Sequence, residues 1–166
     1  MRFTPLNSVV YDVIVLGAGY AGFAAAWSSH RAGRSTLLID RHATLVNESG
    51  LAFATDAGDS DDPLWQTWQQ RLAQHRPDSA RHHDGAIAEV LATELLATEK
   101  LRVLYFAAPF AARRDAAGLL SAVTFATKSG PMTLRSKQWI DATDTGELSA
   151  LVAPQWNAPT PQAQIL

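Results

Sequence analysis

The sequence of 166 residues predicts an α/β fold in which a parallel sheet is combined with a helical insertion and a three-stranded β-meander. Three observations lead to this prediction. The first is a β-branched apolar run followed by glycines, an alanine-rich stretch and a second apolar run. The second is a pair of helical patterns in the middle of the chain, and the third is a series of β-rich segments separated by turn residues. We expect one domain over residues 1–153 and an irregular tail over residues 154–166.

The composition narrows the class of protein. A formal net charge of −2 argues against a nucleic acid or an anionic membrane as partner, since either calls for a concentrated basic surface. The absence of cysteine excludes a disulfide framework, a thiolate metal site and a cysteine nucleophile. Most basic residues are arginines and alanine is abundant, which is typical of a GC-rich bacterial gene. We expect a cytoplasmic protein, because Asp12 and three glycines break up the apolar run near the N-terminus.

The N-terminal part has the pattern of a βαβ unit. Residues 9–16, VVYDVIVL, form a β-branched run typical of a strand that is buried on both faces. The alanine-rich residues 23–32 predict a helix, and Gly33 lies where a helix commonly stops. Residues 36–39 predict a second strand, which ends at Asp40. Two parallel strands with a helix between them imply a right-handed crossover.

The middle of the chain predicts a helical insertion over about residues 56–99. Residues 47–62 are rich in Gly, Ser, Asp and Thr and predict a long loop. A helix is expected after it, with Asp62 as N-cap and Pro63 in the first turn. One apolar face of that helix carries Trp65, Trp68 and Leu72. A second helix is predicted over residues 85–99, and its apolar side carries Ile87, Val90, Leu91 and Leu95.

The last third of the chain predicts strands again. Residues 101–106 form one strand, and a meander is expected over about residues 108–137. The predicted meander strands are residues 110–114, 119–127 and 132–137. A separate strand over residues 138–142 and a short helix over residues 146–152 complete the prediction.

The glycine-rich turn after the first strand is the part of the sequence that indicates a binding site. Gly17-Ala18-Gly19-Tyr20-Ala21-Gly22 matches G-x-G-x-x-G between a strand and a helix. In this motif the first glycine permits the tight turn, the second admits a pyrophosphate, and the third allows helix and strand to pack closely. Asp40 ends the second strand, where a carboxylate can accept hydrogen bonds from both ribose hydroxyls. The combination predicts a Rossmann-like dinucleotide-binding domain, although a unit of this kind without a ligand would explain the glycines equally well.

One further stretch separates FAD from NAD. Residues 139–148 read WIDATDTGEL and follow the predicted meander. Together with the βαβ unit and the insertion, this stretch resembles the FAD-dependent oxidoreductase family of the glutathione-reductase-like superfamily, in which it reads apolar-I-D-A-T-x-x-G-D/E-L. The resemblance covers residues 11 to about 153. Members of that family are considerably longer, so the chain resembles the N-terminal portion of a flavoenzyme.

The resemblance implies FAD as the cofactor and assigns residues to it. The backbones that would line the pyrophosphate are those of Gly17, Gly19, Tyr20, Ala21 and Gly22. Asp40 would hold the adenosine ribose, and Arg41 would lie near the adenine. Thr143 and Gly146 would lie at the end of the strand that approaches the cofactor. The family usually has a Gly-Gly pair in the loop after the second strand, where this chain has Val46-Asn47-Glu48-Ser49-Gly50.

The function implied by the resemblance is hydride transfer from an unidentified small-molecule substrate to the flavin. No catalytic residue is assigned, and a second chain is the expected source of the substrate-binding half. No metal site is predicted, because His82 and His83 lack flanking ligands at metal-binding spacing. Two alternatives remain open. One is a non-catalytic or partner-completed FAD-binding remnant, and the other is an NAD-dependent enzyme domain, which Asp40 permits but the meander argues against.

Overall fold

A computed structural model describes residues 5–50, 60–75 and 84–153. The strands in these residues are β1 (Val10–Leu16), β2 (Thr36–Ile39), β3 (Arg102–Leu104), β4 (Ala108–Arg114), β5 (Leu120–Thr127) and β6 (Gly130–Asp141). The helices are α1 (Tyr20–Arg31), α2 (Asn47–Gly50), α3 (Pro63–His75), α4 (Gly85–Thr98) and α5 (Glu147–Val152). The predicted tail and most of the predicted long loop lie outside the described residues. In the part of the chain that is described, no helix is long and apolar enough to cross a membrane.

The described strands form one mixed sheet in the order β3-β2-β1-β6-β5-β4. The neighbours β3, β2, β1 and β6 pair in parallel, whereas β6, β5 and β4 form an antiparallel meander. The predicted α/β fold, with its parallel sheet, helical insertion and meander, is therefore confirmed. The meander continues the parallel sheet because both share β6.

The division of β6 into two predicted strands was wrong. The predicted segments 132–137 and 138–142 fall in one continuous strand, which ends at Asp141. Its first half pairs antiparallel with β5, and its second half pairs parallel with β1. Arg135 takes part in both ladders, opposite Ala122 on one side and Val10 on the other. The strand thus changes its principal partner without a break in the backbone.

Two apolar clusters cover the sheet, one on each face. Successive side chains of a strand point to opposite faces, and Val15 and Ile14 of β1 lie in different clusters. The first cluster joins β1 to α1, α3 and α4, and its largest fully buried side chains are Trp27 and Trp68. The second includes Phe125 of β5 and Leu148 of α5. The cores of both clusters are therefore built from helices packed against a shared sheet.

The helical predictions hold in outline, with two errors. Residues 47–50, predicted as the start of a long loop, form the short helix α2. The second error concerns one residue on the face of α4. Asp62 caps α3 as predicted, since its Oδ1 accepts hydrogen bonds from the backbone N–H of Leu64 at 2.9 Å and of Trp65 at 3.0 Å. The buried face of α4 consists of Ala88, Leu91, Ala92, Leu95 and Leu96. Val90 was expected on this face but is 56% exposed. It falls outside the i, i+3, i+4, i+7, i+8 series that these alanines and leucines follow.

Candidate functional site

The glycine-rich turn is held by close backbone contacts. Gly17 has a φ of +90°, and a Cβ there would collide with the carbonyl oxygen of Ala142, which follows β6. A Cβ on Gly22 would collide in turn with the carbonyl oxygen of Gly17. The first and third glycines of the motif therefore allow β1, α1 and the end of β6 to meet. α1 begins at Tyr20, directly after the second glycine, so its first N–H groups face the turn.

A cleft of about 370 Å³ opens at the carboxyl ends of β1, β2 and β6. The chain leaves β1 toward β2 on one side, whereas β6 lies on the other, so the cleft sits at the switch point of the sheet, where α/β proteins bind ligands. Five of the predicted site residues line it, namely Gly17, Gly19, Asp40, Arg41 and Thr143. Ligand contacts by these residues remain predictions, but the fold does bring them together.

The other predicted site residues lie beside the cleft. The backbone N–H of Tyr20 is engaged by Glu48, which lines the cleft. Ala21 is exposed on the first turn of α1, and Gly22 is buried beneath the glycine turn. Gly146 has a φ of +66° and caps the N-terminus of α5.

Asp40 is only 5% exposed, and its carboxylate is tied to the glycine turn. Its Oδ2 accepts a hydrogen bond from the backbone N–H of Ala18 at 2.6 Å. Its Oδ1 accepts one from the backbone N–H of His42, also at 2.6 Å. The ring Nδ1 of His42 also lies 3.1 Å from Oδ1. Because a carboxylate has about four acceptor positions, capacity for a further donor remains.

Arg41 and Glu147 join the two sides of the cleft. Arg41 Nη1 lies 2.5 Å from Glu147 Oε1, which links the end of β2 to the start of α5. The hydrogen bond with Glu147 and the charge of that carboxylate raise the pKa of Arg41. The Arg41 side chain is 56% exposed, so the effect of the pair is to position the guanidinium more than to stabilise the fold.

Asp141 organises the loop that follows β6. Its carboxylate accepts hydrogen bonds from the backbone N–H and hydroxyl of Thr143, at 3.2 and 2.6 Å. It also accepts hydrogen bonds from the backbone N–H and the hydroxyl of Ser149, both at 2.7 Å. Burial by itself raises the pKa of Asp141, but these hydrogen bonds outweigh it and hold the pKa below its ordinary value. The sequence indicated the motif but assigned no role to this carboxylate.

Glu48 is one of the cleft residues that sequence reasoning did not identify. It lies on α2, and both of its carboxylate oxygens are 3.0 Å from the backbone nitrogen of Tyr20. The only signal in the sequence was that residues 46–50 replace the expected Gly-Gly pair. Its partner lies 28 positions away in the chain, so local pattern could not reveal the contact.

The chemistry of this arrangement fits a pyrophosphate. The N-terminus of a helix offers free N–H donors and partial positive charge to an anion. At this position the start of α1 already binds two anionic oxygens, those of Glu48. The carboxylate stands where phosphate oxygens would accept the same hydrogen bond, and Gly19 leaves room beside it because it has no Cβ.

Solved structures share the fold at low sequence identity. The crystal structure of AlpK aligns with a TM-score of 0.63 and 19% identity over 86% of this chain and 33% of that chain. The OxyS anhydrotetracycline hydroxylase from Streptomyces rimosus aligns with a TM-score of 0.61 and 16% identity over 87% of this chain and 34% of that one. For Thermovibrio ammonificans THI4 the TM-score is 0.61 and the identity 12%, over 87% of this chain and 62% of that one. This chain thus spans about a third of the length of the first two.

Family comparison identifies the chain more closely. No curated protein matches it. A family model described as FAD dependent oxidoreductase matches residues 12–164, which include the glycine turn, the meander and the loop after β6. This confirms the expected family and favours FAD over NAD as the cofactor. The chain therefore belongs to the FAD dependent oxidoreductase family, with FAD as its cofactor.

Proposed function

We propose that this chain binds FAD for an oxidoreductase reaction in which a small-molecule substrate passes a hydride to the flavin. The observation that carries the proposal is the cleft at the switch point of the sheet, where the start of α1, Gly19 and Asp40 converge. A non-catalytic FAD-binding unit would have the same cleft, so binding and turnover are tested separately.

The residues of the chain have distinct parts in this proposal. The first N–H groups of α1 would hold the pyrophosphate, and Asp40 would accept hydrogen bonds from the ribose hydroxyls. Arg41 would lie near the adenine, held in place by Glu147. The loop from Thr143 to Gly146, fixed by Asp141, would border the cofactor on the opposite side. When bound, FAD supplies the hydride acceptor, and the protein supplies binding and orientation.

The proposal includes a partner and a setting. The partner in this proposal is a second chain that supplies the substrate-binding half. We place the protein in the bacterial cytoplasm on the strength of its arginine- and alanine-rich composition and its interrupted N-terminal apolar run.

An absorbance experiment tests the proposal. The purified chain is incubated with FAD and desalted, and its visible spectrum is recorded. We expect flavin absorbance to remain with the protein. Gly19→Val should abolish it, because the added side chain fills the space beside the start of α1. Gly33→Ala is the matched control, since Gly33 lies outside the cleft and a Cβ there has no neighbour within 4 Å.

The opposite result would be a colourless protein that also shows no FAD binding by titration. That outcome would overturn FAD binding by this chain alone, and titration with NAD would then test the alternative cofactor. If FAD is retained, a substrate screen that follows flavin bleaching under anaerobic conditions separates an oxidoreductase from a non-catalytic binder.

A further inference from the structure

The turn before α2 adopts a conformation that its sequence disfavours. Val46 has a φ of +48°, in the left-handed region where a β-branched residue is a clear outlier. Its side chain is fully buried, and its backbone N–H donates to the carbonyl oxygen of Ala18 at 2.7 Å. Such strain persists only where the surrounding contacts impose it. The turn at Val46 therefore positions α2 beside the glycine-rich turn.

The place reached by α2 is the N-terminus of α1. Both carboxylate oxygens of Glu48 accept a hydrogen bond from the backbone N–H of Tyr20, and each lies 3.0 Å from that nitrogen. A Cβ built on Gly19 would lie 2.5 Å from Glu48 Oε1. The carboxylate thus occupies the space that the missing side chain of Gly19 leaves open, which is the space a pyrophosphate needs.

Two anions cannot occupy this position together. The Glu48 carboxylate and a phosphate would both accept a hydrogen bond from the N–H of Tyr20. Two negative charges so close to each other repel strongly in a partly buried cleft. The other charges of the cleft do not relieve the repulsion. Its described lining has four carboxylates and one arginine, namely Asp40, Glu48, Asp144, Glu147 and Arg41. The arginine is already paired with Glu147.

The backbone on either side of Glu48 is anchored, whereas its side chain is only partly buried. The hydroxyl of Ser49 lies 2.7 Å from the hydroxyl of Tyr20, and Ser49 is fully buried. On the other side, the backbone N–H of Val46 donates a hydrogen bond to the carbonyl oxygen of Ala18. A rotation of the Glu48 side chain can therefore release the N–H of Tyr20 without displacing α2.

We propose that Glu48 is an internal competitor for the pyrophosphate position. Its carboxylate caps α1 while the position is free of phosphate and must rotate away when the cofactor binds, which lowers the affinity for FAD. This inference rests on the proposed function, because it takes the cleft to be the FAD site. Glu48 thus sets how tightly this position binds a pyrophosphate.

Isothermal titration of the chain with inorganic pyrophosphate and, separately, with FAD tests the inference. The variants are Glu48→Gln, which keeps the shape of the side chain, and Glu48→Ala, which removes it. The matched control is Glu89→Gln on α4, where the same charge is removed near Gly50 but away from the start of α1. We expect both Glu48 variants to bind pyrophosphate at least about tenfold more tightly than wild type, and the control to change by no more than about twofold.

The outcomes separate this inference from the proposed function. Tighter binding of both ligands by the Glu48 variants supports both. Tighter pyrophosphate binding with no FAD binding in any variant supports the competitor and contradicts the FAD site. Unchanged or weaker pyrophosphate binding by Glu48→Gln overturns the competitor, whatever happens with FAD. Should Glu48→Ala fail to fold, as judged by circular dichroism, Glu48→Gln decides alone.

Discussion

Gly17 and Gly33 have similar backbone angles in different surroundings. Their φ angles are +90° and +78°. A Cβ on Gly17 would meet the backbone of Ala142 and Thr143, whereas a Cβ on Gly33 would have no neighbour within 4 Å. Substitution by alanine therefore imposes the same conformational cost at both positions, but a steric collision at only one of them.

We predict that Gly17→Ala lowers the free energy of unfolding by roughly 3 kcal/mol or more, and Gly33→Ala by about 1–2 kcal/mol, the cost of a left-handed alanine alone. Urea unfolding followed by far-UV circular dichroism measures both. Equal losses in the two variants would mean that the junction of β1, α1 and β6 relaxes freely around residue 17.

At the scale of single residues, the sequence predicted the candidate site only in part. Asp40 could be assigned to the cleft because it ends a recognisable strand one helix after the glycine turn. Glu48 could not, because its contact depends on the left-handed turn at Val46, a conformation that valine rarely adopts. The ion pair of Arg41 with Glu147 was equally hidden, since 106 positions separate its members.

The elements themselves were more predictable than the contacts between them. β1, α1 and β2 follow from local patterns, and so do the caps and turns around them. The continuity of β6 did not, because a strand that exchanges an antiparallel partner for a parallel one leaves no mark in its own alternation. The buried face of α4 was predicted with one wrong residue because residue size was a poor guide to it. Its inward residues include two small alanines, whereas the larger Val90 is left outside.

The predicted aromatic face of α3 packs onto α1. Trp68 is 1% exposed, with its ring centroid 5.3 Å from that of Phe23 and 6.2 Å from that of Tyr20. Trp65 is only partly buried, at 5.6 Å from the Tyr20 ring. α3 thus packs against the start of α1, beside the cleft, through both tryptophans, of which Trp68 is the more deeply buried.

We predict that Trp68→Ala lowers the free energy of unfolding by about 3–5 kcal/mol, the usual cost of a cavity left by a large buried aromatic. Trp65→Ala, the matched variant one turn earlier, should cost about 1–2 kcal/mol because less of its surface is removed from water. Urea titration measures both. A larger loss for Trp65→Ala would show that the rim of the aromatic cluster, and not its centre, holds α3.

Across the whole molecule, two carboxylates hold the shared strand β6, one through Lys137 in its second half and one at its last residue. Asp12 of β1 accepts a hydrogen bond from Lys137 Nζ at 2.7 Å and from the backbone N–H and hydroxyl of Ser35, both at 2.9 Å. Asp141, the last residue of β6, accepts hydrogen bonds from Thr143 and Ser149. The hydrogen bond from Lys137, followed by those from Ser35, holds the pKa of Asp12 well below its ordinary value.

These two groups predict a loss of stability in acid. A carboxyl whose pKa is lower in the folded than in the unfolded state stabilises the fold above the unfolded pKa, here 3.8, and loses that contribution as the pH falls through the folded value. We therefore expect the free energy of unfolding to decline below about pH 4 and to be insensitive to these groups near neutral pH. Asp141→Asn should be less stable than wild type at neutral pH, and the difference should shrink as the pH falls. Urea unfolding between about pH 2 and pH 7 measures it, with Asp61→Asn, at an exposed position before α3, as the control. If wild type and Asp141→Asn instead lose stability in parallel, the junction between β6 and α5 does not depend on this carboxylate.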